Sequence, residues 1–197
     1  MKKSVKDKAL KQLLWVGMFS ISMFFAGLTS AFIVRKAEGN WTEFILPSWF
    51  IYSSIIIVIS SLILFFVKRQ LRKNASIFNL VFLVFLLGLS FAYFQVQGWN
   101  ELTTQGVYLT GEGSNVAGSF LYVLTLSHLV HLAGGLIAML FVSVKSKLNL
   151  YSIDNCLGVE IVSIYWHFLA LLWLYICLLY TSDAADDLLC VDLGGRR

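Results

Sequence analysis

The chain contains three histidines, His128, His131 and His167, and each lies inside a long apolar run. An imidazole in lipid costs free energy unless it meets a partner, so this placement is the first pointer to function. Three chemistries are open to the set. Two histidines on facing helices can ligate a haem iron from both sides. Two or three ring nitrogens can hold a transition metal. Neutral rings can also hydrogen-bond between helices, with Ser127, Thr125, Tyr165 and Glu160 as candidate partners. His128 and His131 are three residues apart and share one helical face. By helical rise, His131 falls near the bilayer midplane, His128 roughly 5 Å outward of it and His167 roughly 4 Å inward. The three could meet if their two helices pack together, and Gly134, Gly135 and Ala138 would permit close backbone approach. A haem sandwich needs histidines paired at matched depth, and the last apolar run carries one histidine. No cysteine or carboxylate accompanies the trio at that depth to complete a metal set. Hydrogen bonding between helices is therefore the leading reading, with a haem through His128 or His131 and His167, and a metal site, as the alternatives.

Other polar groups read more simply. Glu160 opens the last run, where a carboxylate complements the helix N-terminal dipole; proton uptake beside a partner subunit is the sharper alternative. Cys156, Cys177 and Cys190 have no CxxC spacing and predict neither disulfide nor zinc site, and Cys177 reads as a small apolar filler. Ser20, Ser22, Gly27, Thr29 and Ser30 on the first run, with Gly17 and Gly88, suit close helix packing. The aromatic runs Met23-Phe24-Phe25 and Phe82–Phe94 read as lipid- or partner-facing surface. Gln97–Gly118 reads as a solvated connection, with contact to a neighbouring subunit as the alternative.

Elements that could position these residues follow from hydropathy. Hydrophobic residues make up 58% of the 197 and charged residues 13%, about half the charged share of a soluble domain. Five segments approach the roughly 20 apolar residues that cross a bilayer: Leu13–Val34, Trp49–Val67, Ile77–Val96, Ser119–Val144 and Val159–Tyr180. In lipid they must be helices, because an open strand leaves its backbone groups unpaired. The expected fold is thus an all-α, polytopic membrane bundle, with a basic arm over 1–12, a transmembrane domain over 13–180 and a separate tail over 181–197. Pro47, the sole proline, suits long uninterrupted helices.

Charge sets the expected orientation. Lysines 2, 3, 6, 8 and 11, the Lys68–Lys73 cluster, and Lys145 with Lys147 all fall on one side of an odd-numbered bundle. The other side has Arg35 and Lys36, and Gln97–Gly118 has no basic residue. The positive-inside rule then places the N-terminus in the cytoplasm, with Trp41, Trp49 and Trp99 near outer boundaries. The net charge of +4 is scattered beside apolar runs, which argues against nucleic-acid binding. The first run is too long for a signal h-region, so no cleaved leader is expected. A small transporter is disfavoured because matched broken helices are missing. The chain offers no nucleophile, metal box or nucleotide loop.

Tyr165-Trp166-His167-Phe168 followed by Leu171-Leu172-Trp173 resembles the last-helix signature of subunit III of haem-copper terminal oxidases. His128/His131 with Gly134-Gly135 is similar to that family's penultimate-helix motif, and Met23-Phe24-Phe25-Ala26-Gly27-Leu28 to its motif in the first common helix. The matches are in the family's order, and the short five-helix bacterial form is the nearest pattern. The resemblance implies an accessory, redox-silent subunit that binds no haem or copper, those centres lying in a partner subunit I. It implies oxidase subunits I and II and ordered phospholipid as partners. It also implies a role in aerobic electron transport, O2 reduction and proton translocation, and a multi-pass place in the bacterial plasma membrane. His128, His131, His167, Tyr165, Trp166 and Glu160 then form a structural polar cluster, with no catalytic, cofactor or metal residue. Ile21 stands where the family usually has a glutamate, Ala170 where it has an aspartate, and Leu126 and Leu129 near the histidine pair where a glycine is usual. Roles attached to those acids do not carry over. On the resemblance to the short form, the two further N-terminal helices of longer members are not expected. Thr181–Arg197 turns abruptly acidic and ends Gly-Gly-Arg-Arg, which reads as a non-native or disordered tail.

Overall fold

A computed structural model describes residues 3–37, 44, 46–71, 77–111, 115–148, 151 and 156–190, of which side chains 3, 4, 68 and 181–190 are left aside. Five α-helices make up its regular structure: α1 (Lys3–Ala37), α2 (Ser48–Leu71), α3 (Phe78–Thr104), α4 (Val116–Lys147) and α5 (Leu157–Cys190). All five are long and apolar enough to cross a membrane. The described residues contain no strand, as lipid requires of an open chain.

The helices start and stop where local chemistry directs. Pro47 precedes α2, and its carbonyl accepts from Phe50 N; proline at a helix start loses no bond. Asn115 caps α4, its side chain accepting from Gly118 N at 2.5 Å. α3 closes in a Schellman turn: Gly106, at φ 79°, donates to Thr103 O and Val107 to Leu102 O. The left-handed φ suits glycine there, and the two apolar residues beside it, Leu102 and Val107, are both buried. Gln97–Gly118 is therefore less of a solvated connection than its composition suggests. Its first turns continue α3, Tyr122 Oη donates to Val107 O at 3.0 Å, and Trp99 Nε1 to Thr125 Oγ1 at 3.0 Å.

α2, α3, α4 and α5 form a closed ring, each packed on the next and α5 returning onto α2, while α1 lies outside it against α4 and α5. The ring encloses the main core, with Phe50, Ile57, Phe91, Leu132, Trp166 and Trp173 among its members. A second, smaller cluster of Phe25, Leu124, Leu172 and Ile176 joins α1 to the ring. Lys147, at the end of α4, lies 5.9 Å from the ring centre of Phe78 at the start of α3, as an up-and-down order requires. Beside the start of α5, Tyr151 lies so close that a Cβ on Gly158 would fall 2.6 Å from its hydroxyl. Burial raises the phenol of Tyr151 above its ordinary range. α5 continues as backbone helix to Cys190, and 191–197, the remainder of the expected tail, lie outside the described residues.

Candidate functional site

The polar residues of the membrane interior are organised by a seam between α2 and α5. Ser53-Ser54 and Ser60-Ser61 are two serine pairs seven residues apart, hence on one face of α2. Ser61 Oγ and His167 Nδ1 share a hydrogen bond of 2.5 Å. Trp166 Nε1 donates to Ser60 Oγ at 2.9 Å and Trp173 Nε1 to Ser54 Oγ at 2.9 Å. Ser54 Oγ also lies 3.4 Å from Cys177 Sγ, so this thiol has a polar neighbour as well as a packing role. Ser53 accepts from Gln95 Nε2 at 3.0 Å, extending the seam to α3. Partner numbers on α5 fall as those on α2 rise, which is the register of antiparallel helices.

The three histidines face different neighbours. His167 turns to α2 through Ser61 rather than to α4. His131 Nδ1 donates to the carbonyl of Ser127 at 2.7 Å, and its ring lies 5.8 Å from Phe25 and 6.4 Å from Phe24 on α1. His128 is fully buried between Phe91 at 5.7 Å and Trp173 at 5.1 Å, and neither of its ring nitrogens has a hydrogen-bond partner among the described residues. The shared face of His128 and His131 thus splits between the ring core and α1. Among the described residues, no three His, Cys, Asp or Glu side chains gather closely enough to hold a metal ion.

The expected partners of the histidines also need correcting. Tyr165 reaches α4, but its hydroxyl donates to the backbone carbonyl of His131 at 3.1 Å and not to an imidazole. Thr125 accepts from Trp99 and bonds back to Leu121 O at 2.7 Å. Glu160 pairs with Lys11 Nζ at 2.8 Å, pinning the start of α5 to α1. Trp166 is fully buried. A Cβ on Gly88 would lie 2.6 Å from the Trp166 ring and 2.7 Å from Leu136, so glycine makes room for the indole. Gly135 approaches Leu169 and Tyr165 closely, whereas Gly134, Gly17 and Gly27 face open space. The aromatic runs are divided: Met23, Phe24 and Tyr93 are exposed, but Phe25 and Phe91 are core.

The serines of α2 and Gln95 were the residues missed from sequence, whereas Gly88 packs closely as its type suggested. Their signal was present in the seven-residue repeat of serine pairs, matched by Trp166 and Trp173 at the same spacing.

Five helices long and apolar enough to span, with Ser60, Ser61, Trp166 and His167 bonded across their contacts, define an α-helical multi-pass membrane protein. The three motifs singled out in the sequence converge here, Phe25 and Tyr165 both meeting His131. No family model matches the chain. Individual relatives do. It is 30% identical over 171 residues to a "Probable cytochrome c oxidase subunit 3" of Mycobacterium bovis, covering 81% of this chain and 80% of that protein. A protein of the same description from Nocardia farcinica is 29% identical over 161 residues, 77% of each chain. A "Probable quinol oxidase subunit 3" of Staphylococcus saprophyticus is 24% identical over 174 residues, 82% of this chain and 83% of that protein. The chain belongs to the cytochrome c oxidase subunit 3 family, and its function is that of an accessory oxidase subunit in the respiratory chain. The cytochrome b alternative finds no support in these relatives.

Proposed function

We propose that the chain is a redox-silent subunit that packs against oxidase subunits I and II and phospholipid in a bacterial plasma membrane, with its N-terminus cytoplasmic. Haem and copper belong to the partner subunit I, where O2 is reduced and protons are moved. One observation carries this reading: the intramembrane histidines serve separate helix contacts instead of converging on one point. The lysine-rich start of α1 and the last turn of α4, with Lys145 and Lys147, support the orientation. The relatives carry both cytochrome c oxidase and quinol oxidase names, so the electron donor is a property of the partner subunits.

The test is spectroscopic. The chain purified alone in detergent, reduced with dithionite, is expected to show no stoichiometric Soret band. A band that disappears in His167→Ala would replace this account with a haem-binding one.

A further inference from the structure

Three polar atoms inside the ring core have no hydrogen-bond partner among the described residues: Oε1 of Gln95 on α3, and Nδ1 and Nε2 of His128 on α4. Gln95 is 1% exposed and His128 0%. The two residues lie at one level of the bundle. Phe91, Gln95 and Trp99 stand on successive turns of one face of α3. The Phe91 ring lies 5.7 Å from His128, and Trp99 bonds Thr125, one turn before His128. Gln95 is thus bracketed by two contacts with the stretch of α4 that carries His128.

The donors around these atoms are already used. Ser53 Oγ gives its one proton to Phe50 O at 2.9 Å, so it can only accept from Gln95. That turns the amide nitrogen to Ser53 and leaves the amide oxygen over. Thr125 Oγ1 gives its proton to Leu121 O at 2.7 Å. The Trp173 ring lies 5.1 Å from His128, but its N–H goes to Ser54. The unmet set is one acceptor on Gln95 and, on an uncharged imidazole, one donor and one acceptor. Its complement is a small molecule that both donates and accepts. Buried waters fill this role in folded proteins, with about three hydrogen bonds each to groups that lack other partners. We propose that the ring core holds ordered water between Gln95 and His128, donating to Gln95 Oε1 and bonded to an imidazole nitrogen. His128 is then a water-binding residue of the bundle interior. The site is built by α2, α3 and α4 of this chain, so it does not rest on the oxidase partners.

The test is magnetisation transfer from water, read by NMR on the full chain in detergent with labelled histidine and methionine. The probe is the carbon-bound Cε1 proton of His128, which does not exchange with solvent on this timescale. His131→Gln and His167→Gln assign its signal. Wild type should show transfer to His128 and none to the methyl of Met139, an equally buried residue of the same helix. Gln95→Met, which keeps the side-chain length and removes the amide, should bring His128 down to the Met139 level. Tyr93→Phe, which removes an exposed hydroxyl from α3, should change nothing. No transfer to His128 in wild type, equal transfer to Met139, undiminished transfer in Gln95→Met, or an equal loss in Tyr93→Phe would each overturn the proposal. So would a direct contact between the Gln95 amide and the imidazole without a water signal. The comparison of His128 with Met139 is made in wild type, so the test stays decisive even if Gln95→Met misfolds.

Discussion

At the scale of single residues, polar side chains inside the membrane bond across the contact between α2 and α5. In lipid a polar side chain without a partner has no water to fall back on, so Ser60, Ser61, Trp166 and His167 satisfy one another. His167→Leu is expected to loosen α5 from α2, not from α4. Single bonds of this kind in membranes are worth about 0.6 kcal/mol on average and up to ~1.7. A double-mutant cycle of His167→Leu and Ser61→Ala, read by thermal unfolding in detergent, should give a coupling of that size. Strict additivity would show that the bond contributes nothing. Gly88 makes a sharper case. Trp166 is rigid and held by Ser60, so an added methyl has nowhere to go. Gly88→Ala should lower stability by about 1–3 kcal/mol, and Gly17→Ala, in open space, by far less. Equal melting temperatures for the two variants would contradict this packing.

At the scale of elements, the four-helix ring and α1 differ in kind. The ring is held by the serine seam and a continuous core. α1 is attached by the small Phe25 cluster, by Tyr175 Oη donating to Thr29 Oγ1 at 3.1 Å, and by the Lys11–Glu160 pair. Both members of that pair are partly exposed, where water and salt screen the attraction. Glu160→Gln is therefore expected to leave oxidase assembly and turnover near wild type, with only a small loss of stability that disappears at high salt. A large fall in turnover with the complex intact would instead give Glu160 a part in proton uptake. The extent of α3 was the element least readable in sequence. Trp99, Asn100, Glu101 and the two threonines look like loop residues, yet the helix runs on through them until Gly106 can adopt a positive φ.

At the scale of the whole molecule, large apolar side chains cover the outside. Leu13, Trp15, Phe19, Phe65 and Leu171 are all exposed, as suits contact with lipid or with neighbouring membrane subunits. Affinity capture of the tagged chain from native membranes should bring down a haem-containing polytopic subunit. Recovery of a homo-oligomer alone would count against an oxidase partner.

Five spans and their approximate bounds were determined by the sequence itself, because lipid leaves an apolar run of this length one backbone solution. Which residues meet was decided only by the tertiary structure. Spacing put His128 and His131 on one helical face, but a face about 100° wide can serve two neighbours, and here it serves the ring core and α1. Helical rise put His167 within roughly 4 Å of the depth of His131, yet depth does not say which side of α5 looks at α2. That choice depends on rotation about the helix axis. It is made by many contacts together, above all by Trp166 and Trp173 entering the ring and finding Ser60 and Ser54.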